Sequence, residues 1–260
     1  MTHTLETAIS SKLDISELRS RATEFELALA AQKRKVGGEG FPWYPYGTLN
    51  NLVHLDNLLT GTNRDFSTLI GDRPVADVGA ADGDMAFFLE TLGCTVDVVD
   101  YGPTNFNSLR GARLLKEMRG SNIGIHEMNL DAYFNWPQTK YGLVLFMGIL
   151  YHLKNPFYVL ESLAKVTRFA LISTRIAQYS PDLKTKIAHI PVGYLLHASE
   201  ANNDATNFWI FSEAGLRRIL ERSGWKILDQ MTAGNTHKSD PASVKGDERA
   251  FMLLQSQVMV

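Results

Sequence analysis

Two short stretches hold most of the residues able to do chemistry. The first, VADVGAADGDMAFFLETLGCTVDVVD (75–100), sets Asp77, Asp82, Asp84 and Asp100 around the small residues Gly79, Ala80, Ala81 and Gly83. Carboxylates attract cations and accept hydrogen bonds from hydroxyls, and a turn of small residues lets a ligand approach the backbone. The second, LFMGILYHLKNPFYVLESLAK (145–165), places Tyr151 and His152 just after an apolar run. Imidazole titrates near neutral pH, which makes His152 the candidate general base. Its alternative role is packing or a simple hydrogen bond. Tyr151 is a candidate hydrogen-bonding partner or an ordinary core residue.

The surrounding elements must place these residues together. Apolar runs at Pro74–Val78, Thr95–Val99, Ile123–Met128, Gly142–Met147 and Phe169–Ser173 read as strands. Helical spacing separates them at Met85–Leu92, Asn105–Met118 and Phe157–Val166, with a turn near Asp131–Trp136. Strands alternating with helices imply right-handed crossovers and a doubly wound, mostly parallel α/β sheet. A helix at Ser212–Ser223 leads to strands at Trp225–Gln230 and Arg249–Gln257, joined only by a polar loop. That pair predicts an antiparallel hairpin at the sheet edge, for seven strands in all. Ahead of the sheet, residues from about Leu5 to Lys35 and Asn50–Leu59 read as helices, with a glycine break at 37–40 and the aromatic segment FPWYPYG between them. We divide the chain into an N-terminal helical extension with an aromatic segment (1–60) and a ligand-binding domain (61–260) in which 175–207 is an insertion or lid.

In a doubly wound sheet the turn after the first strand receives the ligand. Asp100 ends the second strand, where an acid can accept hydrogen bonds from both ribose hydroxyls. A dinucleotide fingerprint needs a small residue where Asp84 stands, and no Gly-Lys-Ser/Thr of a P-loop follows. A diphosphate beside Asp82 and Asp84 would cost on the order of several kcal/mol. A ligand with adenosine, a positive amino-acid end and no phosphate escapes that cost. S-adenosylmethionine is such a ligand, with its ammonium near Asp77 and its ribose on Asp100.

The string DVGAADGD, with an acid closing the next strand, resembles the first two motifs of class I S-adenosylmethionine-dependent methyltransferases over roughly Pro74 to Gln257. That resemblance implies their Rossmann-like sheet and cofactor, with Asp77, Gly79, Ala80, Ala81, Gly83, Asp100, Tyr101, Asp131, Met147 and Gly148 in the cofactor site. Asp131 would read the adenine amine; its alternative is an N-cap. The GILYH segment and the later NFWIFSEAGLRRILERSGW look like a narrower group, the tRNA wobble-uridine carboxymethyltransferase and its small-molecule relatives. Tyr151 matches a tyrosine that holds the extra carboxylate of that enzyme's cofactor. No matching cation stands in NNLVHLDNLL or NDATNFW, so ordinary S-adenosylmethionine is favoured.

For the acceptor, Trp43, Tyr44 and Tyr46 form a candidate aromatic lid, or alternatively a staple for the N-terminal helix. Arg175 is a candidate contact for an anionic group, and Asn207 joins it as a substrate-binding candidate. His189 and His197 have no third ligand nearby, so no metal is expected. The run Lys33-Arg34-Lys35 reads as a solvated helix end, which the helix dipole favours. A net charge of −2 over 260 residues gives no general drive toward nucleic acid or anionic membrane. One cysteine, Cys94, excludes a disulfide framework, and MTHTLETAISSKLDISELRS lacks the apolar core of a signal peptide. We therefore expect a cytoplasmic methyltransferase acting on a small molecule. A tRNA-modifying enzyme and a non-catalytic cofactor-binding protein are the alternatives. The sequence leaves the acceptor atom and the oligomeric state open.

Overall fold

The computed structural model describes residues 12–37, 40–236, 238–244 and 246–259. Residues 5–11 of the expected first helix, 38–39 of the glycine break, and 237 and 245 of the late polar loop lie outside them. The architecture is α/β with a mostly parallel, Rossmann-like sheet and an antiparallel edge. Among the described residues there are nine strands, two more than the sequence suggested. The chain forms two compact units.

The first unit runs to Met128 and includes Trp136–Leu145. It opens with α1 (Ile15–Gly37), which has Glu17 in its first turn and Arg34 and Lys35 in its last, as the dipole favours. Its buried stripe is Ile15, Leu18, Ala22 and Leu29; each fully buried Leu or Ile is worth about 1.5–3 kcal/mol. Next come α2 (Asn51–Leu58) and α3 (Phe66–Ile70), the latter capped by Asp65, whose carboxylate accepts the Ser67 N–H. Then β1 (Val75–Val78), α4 (Asp84–Thr91), β2 (Val96–Asp100), α5 (Arg110–Arg119), β3 (Gly124–Glu127) and β4 (Tyr141–Met147) follow in turn. The order is β3-β2-β1-β4, all parallel, with Val75 opposite both Val96 and Leu143. Such strands are covered on both faces, and β1 is buried along its whole length. Helix α1 packs on α4 and α5: Phe25 meets Phe88 at 5.5 Å, and the Arg119 guanidinium lies over both Phe25 and Phe87.

Helix α5 begins at Arg110, five residues later than the spacing suggested. Ser108 and Leu109 hold left-handed backbone (φ 58° and 62°), which no helix continues through. The reason is polar. The Asn105 and Asn107 side chains turn inward to bond other segments, and Asn105 accepts the N–H groups of Asn107 and Leu109.

The second unit comprises Asn129–Asn135 and the chain from Phe146 onward. Its helix α6 (Pro156–Val166) starts with Asn155 accepting the Tyr158 N–H and a proline at the first position, a strong start signal. Strand β5 (Thr167–Ala177) pairs antiparallel with β9 (Glu248–Ser256), which pairs antiparallel with β8 (Trp225–Gly234). The expected hairpin is thus present, with β8 on its outer side. The two extra strands, β6 (Gly193–Leu195) and β7 (Trp209–Ser212), are antiparallel partners, and β7 runs parallel to the end of β5. Strand β6 lies within the 175–207 segment and β7 just after it, so the segment carries one short strand between long loops. Leu196 and Ala201 are buried with Ala177 and Ile210, and Tyr151 packs against them. Helix α7 (Glu213–Arg222) is capped by Ser212, which accepts the Gly215 N–H at 2.9 Å. Trp225 is fully buried, with its indole N–H donating to the Leu160 carbonyl. No helix among the described residues is long and apolar enough to cross a membrane.

Candidate active site

In the first unit the chain leaves β1 through Gly79–Gly83 and enters α4. Gly79, Ala81 and Gly83 all have positive φ (70°, 54° and 82°). Glycine adopts this backbone freely, whereas for Ala81 it costs about 1–3 kcal/mol. Two side chains hold Ala81 there: its N–H donates to Asp100 Oδ2 at 3.1 Å, and its carbonyl accepts Asn105 Nδ2 at 3.1 Å. Asn105 also donates to Asp100 Oδ2 at 3.0 Å, and the Tyr101 N–H donates to Asp100 Oδ1 at 2.7 Å. Burial pushes the Asp100 carboxyl above the usual range while these three donors oppose it. A carboxylate has about four acceptor sites, so Asp100 braces the turn and keeps capacity for a ligand hydroxyl.

Asp77 is buried on β1. The Ala86 N–H donates to it, yet its Oδ2 has no partner. Burial, and then the nearby Asp100 charge, push its carboxyl up to about 7. An orphaned carboxylate beside a second one is completed by a cation or a strong donor and is repelled by phosphate. These residues fit the ammonium and ribose of S-adenosylmethionine.

The acids that were expected to turn phosphate away do something else. Asp82 and Asp84 hold α1: Lys33 Nζ lies 3.2 Å from Asp82 and 2.8 Å from Asp84. Asp82 also accepts the Tyr44 N–H at 2.8 Å and Asn107 Nδ2 at 2.7 Å, and Asn107 further bonds the Pro42 carbonyl. A β-carbon at Gly111 would collide with the Asp82 carboxylate, so this glycine makes room for the brace. Lys33 is therefore no solvated helix end. Burial raises the Asp84 carboxyl and Lys33 pulls it back. The electrostatic case against phosphate thus rests on Asp77 and Asp100.

The aromatic segment follows directly. The Lys33 ammonium sits over the Trp43 ring at 5.3 Å, so Trp43 belongs to the helix staple. Tyr44 is half-buried and meets Tyr46 at 5.4 Å and Phe106 at 6.0 Å, whereas Tyr46 is 71% exposed.

In the second unit, Met147 closes β4 and Gly148 follows with φ 78°. A β-carbon at Gly148 would lie 3.5 Å from the Tyr151 hydroxyl and 3.8 Å from Arg249 Nη1. Arg249 Nη1 is itself 3.5 Å from that hydroxyl. The rings of Tyr151 and His152 are 4.3 Å apart. His152 Nδ1 contacts Thr206 twice, at its carbonyl (3.1 Å) and its hydroxyl (3.0 Å). Burial lowers the His152 pKa, the Thr206 carbonyl and Asp204 raise it, and Arg249 lowers it.

Three expected ligand contacts have other work. Asp131 is exposed, and its Oδ1 accepts the Lys154 and Asn155 N–H groups at 2.8 and 3.2 Å. It ties its loop to the start of α6. Arg175 is buried: it donates to the carbonyls of Asp240 and Ser243 and pairs with Asp247 at 3.4 Å. It clamps the loop before β9 and does not present its charge to an acceptor. Asn207 is buried and donates to the Ala201 carbonyl at 3.1 Å, a loop-fixing bond.

Lys33, Asn105, Asn107, Asp204, Thr206 and Arg249 were not singled out by the sequence for these positions. The bonds of Lys33 and Asn107 to Asp82, and of Thr206 to His152, join residues far apart along the chain, which leaves no local spacing pattern. For Asn105 and Asn107 a cue exists in the run of Asn, Ser and Gly after Asp100, which favours side chain–backbone turns over helix.

A Rossmann-like sheet with a tight, acid-braced turn after its first strand belongs to the α/β domains that bind ligands at that turn. The methyltransferase-domain family matches residues 43–230, and the chain belongs to that family. It is an S-adenosylmethionine-dependent methyltransferase. Among solved structures, the N-terminal domain of EvdMO1 with SAH bound is similar at 16% identity and a TM-score of 0.52, covering 95% of this chain and 99% of that one. The same domain in the presence of SAH and D-fucose gives 16% and 0.54, with the same coverage. The PH0226 protein from Pyrococcus horikoshii OT3 gives 14% and 0.51, covering 96% of this chain and 94% of that one. At these identities the likeness is one of fold. Comparison with curated proteins yields no match.

Proposed function

We propose that the protein methylates a small molecule bearing a hydroxyl or amine, with His152 accepting the acceptor's proton. Bound S-adenosylmethionine supplies an electrophilic methyl group. Asp100 would hold the ribose hydroxyls and Asp77 the ammonium. Tyr151 would orient the acceptor.

The choice of acceptor class is carried by charge pairing. The buried cations beside the motif residues are committed inside the protein: Lys33 to Asp82 and Asp84, and Arg175 to Asp247. Polyanion binding needs cations that can replace counterions along phosphates, and the net charge is −2. The test supplies methyl-labelled S-adenosylmethionine with a small-metabolite extract or with total tRNA. Label should enter the metabolite fraction. Label in tRNA would overturn the small-molecule reading, and transfer to neither, with cofactor binding intact, would favour a non-catalytic binder. Within the active fraction, His152→Gln should cut turnover by ~10²–10⁴-fold while cofactor affinity stays within a few-fold. Equal loss of both would make His152 a binding residue.

One observation favours a second reading, closer to the wobble-uridine enzyme's relatives. Arg249, outside the segments where a cation was sought, stands beside Tyr151 and Gly148. A carboxylated form of the cofactor would find a partner there. The mass of whatever nucleoside co-purifies with the protein separates the two donors.

A further inference from the structure

The segment 204–209 is stitched to 151–154 along its length. The Phe208 N–H donates to the Tyr151 carbonyl at 2.7 Å, and the Trp209 indole N–H donates to the Lys154 carbonyl at 3.2 Å. Between these ties, Thr206 holds His152 from one side of the ring. The chemistry of the partners fixes the hydrogens. A carbonyl oxygen only accepts, so the Thr206 carbonyl 3.1 Å from His152 Nδ1 favours a hydrogen on that nitrogen. The Thr206 hydroxyl has a single hydrogen, and it points to Asp204 Oδ1 at 2.6 Å. Its lone pair therefore faces His152 Nδ1 at 3.0 Å as a second acceptor. Asp204 Oδ1 also takes the Thr206 N–H at 2.9 Å, and its own carbonyl takes the Asn207 N–H at 3.0 Å, so the acid sets the geometry of the turn as well.

We propose that Asp204 and Thr206 are positioning residues that keep the neutral His152 ring protonated on Nδ1 and leave the Nε2 lone pair to receive a proton. The inference rests on the reading of His152 as the base, and it assigns that base its reactive atom. When Nε2 gains a proton, Nδ1–H becomes a stronger donor. It then faces a hydroxyl whose oxygen is made more basic by the carboxylate behind it. Without Asp204 the hydroxyl could rotate and donate to Nδ1, which would favour the opposite tautomer. The charges around the ring act in both directions. Asp204, two hydrogen-bond steps of 2.6 and 3.0 Å away, favours the imidazolium, and Arg249 on β9 disfavours it. Tyr151 packs at the side of the ring, and the Lys154 ammonium is turned over the Phe208 ring at 5.5 Å.

The test needs no acceptor. Protein labelled with ¹⁵N-histidine is observed by NMR, with the His152 ring assigned by its loss in His152→Gln. At a pH where the ring is neutral, Nδ1 should carry the hydrogen and Nε2 should be the bare nitrogen. Asp204→Asn should lower the His152 titration midpoint by about one unit and populate the Nε2–H tautomer. Thr206→Val, which keeps the carbonyl, should lower the midpoint similarly while retaining the Nδ1–H form, and Thr206→Ser should behave as wild type. A wild-type ring with its hydrogen on Nε2 overturns the proposal. So does a midpoint in both Asp204→Asn and Thr206→Val that matches Thr206→Ser. If all these signals are as expected but His152→Gln transfers methyl groups at the wild-type rate, the base reading fails while the positioning role stands.

Discussion

Replacing Lys33 by Met removes the ammonium that joins α1 to Asp82 and Asp84. In the folded protein Lys33 is 2.8 Å from Asp84 and 3.2 Å from Asp82, and the Asp82 side chain is only 2% exposed. Breaking a buried pair from one side leaves unpaired charge and typically costs about 3–5 kcal/mol. For a chain of 260 residues, at about 2–4 °C of melting temperature per kcal/mol, the melting point should fall by roughly 6–20 °C. The deficit should depend on pH with a defined sign. Burial holds the folded Asp84 pKa above its ordinary value, and Lys33 opposes that shift. Removing Lys33 raises it further. A raised folded pKa contributes stability below the ordinary value that is lost as pH rises through the folded one. Lys33→Met should therefore recover part of its loss near pH 5 relative to pH 8, and Asp84→Asn in the same chain should recover part of it at pH 8. Urea unfolding at both pH values measures this. A variant as stable as wild type, or a deficit equal at the two pH values, would refute the buried-pair reasoning.

Asp100→Ala should weaken S-adenosylmethionine binding at least tenfold by calorimetry. It should also cost about 1–3 kcal/mol of stability, because the Ala81 N–H and Asn105 lose their acceptor; unchanged affinity would remove Asp100 from the ribose. Asp77 titrates near 7 without ligand, so cofactor affinity should rise from pH 6 to 8 as the carboxylate forms, and Asp77→Asn should flatten that profile. Arg175→Met should destabilise the protein by about 2–4 kcal/mol, since it strips the Asp240 and Ser243 carbonyls of a donor, while cofactor affinity stays unchanged. A selective loss of binding in Arg175→Met would return Arg175 to the site.

The elements that could be read from sequence are those whose signal is local. Buried parallel strands such as VADV and YGLVLFM need continuous apolar runs, and the hairpin of β8 and β9 announced itself by two runs with only polar chain between them. Strand β6 could not be read because GYL is too short to show a period, and WIFS of β7, as short as VADV, has a loop and not a helix before it. They exist only because neighbouring chain supplies their hydrogen bonds. The start of α5 was misplaced because Asn105 and Asn107 compete with helix through side-chain bonds to residues 24 and 25 positions away. In the site, motif residues on the first turn could be named from their types, whereas the partners of those residues could not. Asp82 and Asp84 looked like ligand-facing charge because the sequence does not show that a lysine 49 and 51 positions earlier meets them. Arg175 misled for the same reason.

The bracing of the Gly79–Gly83 bend by Lys33, Asn105 and Asn107 has a thermodynamic consequence for ligand capture. Ordering a free pentapeptide would consume about 1–2 kcal/mol per residue of the gross interaction energy at the moment of association. Here the three side chains have fixed those dihedrals during folding, so an adenosyl group bound there as proposed would meet a rigid cradle and retain that energy as affinity. Lys33, 49 positions before Asp82, thereby helps set the shape of the turn proposed to hold the cofactor. A chain trimmed past Lys33 would keep each motif residue and still bind its donor weakly.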